Sequence, residues 1–281
     1  MEKYKNIFFI LFTGMLLAAC APKQTIRIID KDFDDVVQQY QNLTFIFNQP
    51  MVADSLLNRW DSLEYMSFEP PVRGRYIWVE PDRVLFSPVE PLAPSSDYTV
   101  GISQAILQLT DRKWIIDDYR IPFHTPYLDL ESVSSYWTMS EAEWGKVEVR
   151  FTFNFSYEVD PKLFGQLLQL HHNNVDVPYV LLTENPSRSI EVSLGLSNLE
   201  SLAKQTVDAV ISEGLSCTGS NWKSRKPVQS EVRIPSKEDL QVAGMTPVWN
   251  KGKGSILIRT TLPRSEFRPS LLPLKRSRRD Q

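Results

Sequence analysis

The chain has 281 residues, 42% of them hydrophobic and 23% charged, with a formal net charge of −3 and a pI of about 5.7. That balance excludes an intrinsically disordered chain, and without a basic surplus no nucleic-acid partner is expected. Less a leader, the length suits two domains of about a hundred residues each, enough for a sandwich core but not for a large α/β enzyme in each half.

The leader is legible in the first twenty residues. Lys3 and Lys5 precede an apolar run from Ile7 to Ala19, too short to span a bilayer comfortably and shaped like a secretory h-region. It ends in Leu17-Ala18-Ala19-Cys20, which matches the cleavage signal of bacterial lipoproteins. Residues 1–19 are therefore expected to be removed and Cys20 acylated, so that membrane lipid is the first expected partner. Ala21, rather than Asp, follows the cysteine; by resemblance to lipoprotein sorting rules this places the chain in the cell envelope at the outer membrane, with its face undecided. Of the two cysteines, the other is Cys217, for which no disulfide framework is available. It follows an apolar stretch, and a buried inert thiol is expected.

Strands follow in order. Leu43, Phe45 and Phe47 occupy one face of a strand until Gln49-Pro50 ends the run, because proline removes a ladder hydrogen bond. Tyr76-Ile77-Trp78-Val79 and Val84-Leu85-Phe86 flank Glu80-Pro81-Asp82-Arg83, good turn chemistry for a hairpin. A proline-rich loop from Pro88 to Ser96 feeds a strand at Tyr98–Ile102, and Ile121 and Phe123 close a first domain spanning 20–127.

The second domain, 128–236, opens on the clearest pattern in the chain. Val147, Val149, Phe151, Phe153 and Phe155 alternate with Glu148, Arg150, Thr152, Asn154 and Ser156, which predicts one face in a core and the other in water. Asp160 is placed to cap a short helix with Pro161 at its first position. Val177–Leu182, Ser189–Leu194 and Thr206–Ile211 read as strands, Asn198 as the cap of a short helical turn, and Val232 and Ile234 as the close.

These parts repeat. Phe45-Ile46-Phe47-Asn48 returns as Phe151-Thr152-Phe153-Asn154, Thr99-Val100 as Thr206-Val207, and Arg83–Ser87 is answered by Arg188–Ser193, at a spacing of about 106 residues. Short strands, regular turns and almost no long helix predict an all-β fold, tandem immunoglobulin-like β-sandwich domains after the lipoprotein signal peptide.

The order from Leu43–Phe47 through Asn48-Gln49-Pro50-Met51, Tyr76-Ile77-Trp78 and Leu85-Phe86-Ser87-Pro88 to Pro91–Val100 resembles the N-terminal immunoglobulin-like domain of bacterial alpha-2-macroglobulin lipoproteins. With the lipobox and a second macroglobulin-like domain, the resemblance covers about residues 20 to 260. It implies the scaffold end of an endopeptidase inhibitor, with proteases as partners only in a longer chain. The family's Cys-Gly-Glu-Gln thioester motif is not in these residues, since Cys217 is followed by Thr218-Gly219-Ser220, and no bait region is recognisable.

Other constellations carry little chemistry. His171-His172, with Asp176 nearby and His124 distant, has poor ligand geometry, because adjacent strand residues point to opposite faces; solvated loop histidines are expected. Asp34-Asp35 and Asp117-Asp118 read as surface turns and not as a calcium loop. With no phosphate loop, nucleophile elbow or zinc-helix motif, neither catalysis, a cofactor nor a metal is expected. The tryptophans keep a second function open. Trp60, Trp114, Trp144 and Trp222, with Trp137 and Trp249, fall near predicted turns or strand ends, where an exposed ring can bind glycan or a protein partner; packing is the competing role.

Segment 237–281 differs. Ser255–Arg259 falls where the repeat spacing would open a third domain. A tail with Arg264, Arg268, Lys275, Arg276, Arg278 and Arg279, punctuated by Pro263, Pro269 and Pro273, follows it. We expect an incomplete third repeat, poorly ordered because a lone apolar strand leaves an open edge, and an interrupted piece of a longer protein.

Overall fold

The structure, a computed structural model, describes residues 24–110, 114–140, 147–194, 205–236, 242–250 and 253–260. The chain forms two compact units: Met1–Leu128 with Gly219–Trp222, and Asp129–Thr218 with Lys223–Gln281.

The first unit contains β1 (Thr25–Ile26), β2 (Ile28–Lys31), β3 (Leu43–Phe47), β4 (Trp60–Asp61), β5 (Met66–Glu69), β6 (Gly74–Glu80), β7 (Arg83–Pro88), β8 (Asp97–Ile102), β9 (Ile115–Ile116) and β10 (Ile121–His124). Its sheets run β2-β3-β7-β6-β4 and β10-β8-β5, with β1 and β9 paired separately in parallel. Lettered by position, these are the ABED and GFC sheets of an immunoglobulin-like sandwich. The alternation that predicts β3 buries Leu43, Phe45 and Phe47 completely, facing Tyr76, Trp78, Val84 and Phe86 of the same sheet and Phe68, Val100 and Phe123 of the other. Phe68 meets Phe86 at 4.5 Å between ring centroids, and Phe123 stacks on Tyr98 at 5.2 Å. Such contacts hold one sandwich core. The Pro81-Asp82 turn joins β6 to β7 as the sequence predicts, and its carbonyls accept the backbone N–H groups of Phe47 and Met51.

In the second unit are β11 (Leu130–Met139), β12 (Val147–Val159), the helix α1 (Pro161–Leu167), β13 (Leu168–His172), β14 (Val175–Asp176), β15 (Tyr179–Leu181), β16 (Ser187–Leu194), β17 (Thr206–Ile211), β18 (Val228–Arg233), β19 (Val242–Asn250) and β20 (Lys253–Thr260). The orders β11-β12-β16-β15 and β14-β13-β17-β18 match the ABED and GFC strands of the first unit, with β14 added beside β13 and, among the described residues, no strand in the place of β4. Asp160 caps α1 by accepting the Lys162 N–H at 2.9 Å. The helix buries Phe164 edge-on against Phe153 and Phe155, with centroids 5.0 and 5.6 Å away.

Three expectations need correction. The outer face of β12 is not all in water: Glu148 and Arg150 are buried and joined by a 2.8 Å Nε–Oε1 bond, with Glu191 3.5 Å from the guanidinium. A period of two separates faces but does not say whether the polar face is covered. Trp137, two residues from the end of β11, is not an exposed ring: it is 1% exposed, with its Nε1 donating to the Pro235 carbonyl at 2.7 Å. Residues 255–259 are not a lone strand, because β20 pairs antiparallel with β19, so both fill their facing ladder groups. The Asn198 turn and the basic tail lie outside the described residues.

Candidate functional site

The loop ahead of β8 shapes a cleft of the first unit. Tyr98 enters the core and its hydroxyl accepts the Ala93 N–H at 2.8 Å, the tyrosine corner of immunoglobulin-like folds, which pins the E–F connection. Burial raises its pKa above the usual phenol value. With Tyr98 inward, its neighbours Asp97 and Thr99 face out. Across the ladder, Asp97 stands opposite His124, and Thr99 opposite both Pro122 and Glu69.

These residues line a cleft of about 710 Å³, with Asp35, Pro70, Tyr127 and Asn221 at its margins. Asp97 is fixed three ways. The Asn221 amide takes its backbone on both sides, accepting from the N–H at 2.8 Å and donating to the carbonyl at 2.9 Å, and the Tyr127 hydroxyl donates to Oδ1 at 2.5 Å. Tyr127 is itself sandwiched, stacked on His124 at 4.1 Å and on Trp222 at 4.5 Å between centroids. His124 Nδ1 lies 2.9 Å from the Thr125 carbonyl, a contact that puts the proton of the neutral ring on Nδ1. Among the described residues the lining holds three carboxylates and neither lysine nor arginine. Arg120 lies over Gly101 at the other end of β8.

A second cluster crosses the second unit's GFC-type sheet. Asp176, His171, Asp208 and Glu231 stand directly opposite one another on β14, β13, β17 and β18, beside a cleft of about 560 Å³. His171 Nδ1 is 2.9 Å from Asp176 Oδ1. The two histidines therefore sit in a strand and not in a loop: His172 turns away, its Nδ1 at 2.8 Å from the Thr206 carbonyl. Among the described residues no group of three His, Cys, Asp or Glu side chains is arranged to hold a metal ion.

The tryptophans singled out in the sequence do not converge. Trp60 is 55% exposed on β4, beside a small cleft with Arg75 and Val89, while Trp114 packs partly buried against the first core. Trp222 ends the Tyr127 stack, and Trp249 is 78% exposed on β19. Cys20 and Trp144 lie outside the described residues. Cys217 is buried and bridges to Val159; Asp34 and Asp35 are exposed in a turn-like segment. Sequence reasoning missed Asp97, Glu69 and Asn221, whose roles depend on strand register and on a short segment, Gly219–Trp222, that returns from 124 positions downstream.

Fold and surface together define an all-β protein of two immunoglobulin-like sandwiches in tandem. In an alignment of 261 positions that covers 85% of the chain, it is 22% identical to "Alpha-2-macroglobulin" of Pasteurella multocida (strain Pm70), and it spans 14% of that protein. No family model matches. Among solved structures, an L,D-transpeptidase from Mycobacterium tuberculosis H37Rv aligns over 59% of this chain and 63% of its own, with 13% identity and a TM-score of 0.21. L,D-transpeptidase 3 from the same species aligns over 59% and 62%, with 12% identity and a TM-score of 0.20. Superpositions that loose carry no argument about this chain.

Proposed function

We propose that this chain is the membrane-anchored, N-terminal scaffold portion of an alpha-2-macroglobulin-like endopeptidase inhibitor, held to the outer membrane through acylated Cys20. The observation that carries the reading is similarity to the Pasteurella protein along 85% of the chain; a match confined to one sandwich would reflect only a common module. Cys-Gly-Glu-Gln does not occur in the sequence, so covalent capture is not assigned to these residues. Their part is rigid spacing, which the aromatic cores suit.

Two measurements test this. Metabolic labelling with a fatty acid should mark the wild-type chain and leave Cys20→Ser unlabelled and released from the membrane fraction; retention of the unlabelled variant would overturn the anchoring. Mixed with a panel of endopeptidases, the 281-residue chain should leave cleavage of a large protein substrate unaffected, whereas a product extended by the downstream coding sequence should slow it. Inhibition by the short chain alone, or none by the extended one, would overturn the scaffold reading.

A further inference from the structure

The solvent face of β5, β8 and β10 combines two features that rarely serve one neutral ligand. Its apolar floor is formed by Pro70 and Pro122, which lie over the inward-facing Tyr98 and Phe123, while Asp35, Glu69 and Asp97 stand around it. Asp35 is partly engaged by Lys31 at 3.5 Å. Asp97 Oδ1 accepts from Tyr127, but neither that bond nor Asn221 occupies Oδ2. Three carboxylates around one cleft, with no cation among the described lining residues, repel each other and attract a positive group.

We propose that this cleft binds the side chain of a lysine or arginine presented by an extended peptide segment of a partner protein. The alkyl stem of such a residue covers apolar surface while its cationic head stays at a polar rim, the combination that the prolines and carboxylates offer. The His124–Tyr127–Trp222 stack acts as a support: with both faces of Tyr127 covered, its hydroxyl is held on Asp97, and Asn221 fixes the backbone beneath. A carboxylate positioned before the ligand arrives loses little freedom on binding. A neutral glycan would find no free aromatic face here, since both faces of Tyr127 are covered, and would leave the charge of Glu69 uncompensated.

The test uses the full chain with an acetylated, amidated Gly-Lys-Gly-Lys-Gly peptide and its arginine counterpart, against the same peptide carrying glutamate and a neutral N-acetylglucosamine oligomer. Calorimetry and ¹H–¹⁵N spectra should show saturable binding of the cationic peptides, with shifts at β5, β8 and β10. Affinity should fall about threefold in Glu69→Gln or Asp97→Asn and about tenfold in the double variant, with a comparable loss on going from low to high salt. Both substitutions are isosteric at exposed positions, and the amide that Asp97→Asn introduces keeps an oxygen for Tyr127, so unchanged far-ultraviolet dichroism should accompany the loss. The proposal is overturned by equal binding of the glutamate peptide, by binding of the sugar oligomer alone, by a double variant within twofold of wild type, or by no shifts at about 10 mM peptide.

Discussion

Replacing Arg150 by Met should be among the most damaging single changes in the second unit. Arg150 and Glu148 have side chains only 7% and 9% exposed, joined at 2.8 Å; Glu191, 35% exposed, is the guanidinium's second carboxylate and also accepts from Tyr136 at 3.1 Å. Methionine fills most of the volume, so little cavity cost is expected. The dominant loss is electrostatic, because Glu148 keeps its desolvation penalty without its counter-charge; removing one partner of a buried pair costs about 3–5 kcal/mol. Against a total stability of about 5–15 kcal/mol, that is a large fraction. The double variant Glu148→Leu/Arg150→Met removes the stranded charge along with its partner and should recover most of the loss. Urea unfolding supplies the magnitudes. Hydrogen exchange supplies the location: β12 and β16 should lose protection while β3 and β7 keep theirs. A cost below about 1 kcal/mol for the single change, or a double variant worse than the single, would refute the view that this pair is desolvated.

Three further outcomes are expected. Tyr98→Phe removes the acceptor of the Ala93 N–H and should cost about 1–2 kcal/mol in urea unfolding, with loss of exchange protection starting at Ala93; an unchanged midpoint would mean that water replaces the hydroxyl. Glu231→Lys replaces a like-charge pair with Asp208 by an attractive one and should stabilise the second unit by about 0.5–1 kcal/mol at low salt, less at high salt; destabilisation would contradict the register. At alkaline pH two buried tyrosines of the first unit oppose ionisation: burial and then the Asp61 hydrogen bond raise Tyr65 to about 12, and burial raises Tyr76 further. Below the unfolded value near 10 the phenols are neutral in both states and their contribution is intact. Above it the unfolded chain ionises first, so stability should fall as pH rises from about 10 through about 12. Part of the absorbance at the phenolate band should then appear only with unfolding, and Tyr65→Phe/Tyr76→Phe should remove it; completion of the whole tyrosine titration near 10 in a chain that remains folded would contradict the burial.

The strands legible in the sequence are those whose pattern is enforced by a core. Leu43–Phe47, Tyr98–Ile102 and Thr206–Ile211 are central strands flanked on both edges, so their inward positions must be apolar and their alternation is clean. β5 and β13 hold the equivalent C position, yet Met66–Glu69 is four residues long and Leu168 follows directly on α1, leaving too few positions to show a period. β11 escapes because Ser132, Ser134 and Ser135 dilute its pattern, and its neighbour β12 buries more apolar residues than it does. Burial of Glu148 and Arg150 was invisible for a different reason: nothing in the local pattern of one strand reports what lies over its polar face.

The cleft was illegible for a deeper reason, which follows from the duplication. Positions that repeat, such as Phe45 and Phe47 with Phe151 and Phe153, are inner-face positions, where a change in volume costs stability in either sandwich. Outer positions of the GFC sheet carry no such restraint, and although Thr99 is answered by Thr206 the charged groups there differ. The first sets Asp97, Thr99 and Glu69 around an apolar floor, whereas the second lines Asp176, His171, Asp208 and Glu231 across four strands. Even the corner residue differs: at the repeat spacing Gln205 stands where the first unit has Tyr98. A search for internal similarity therefore finds the shared core and passes over the surfaces on which two copies of one fold are free to recognise different partners.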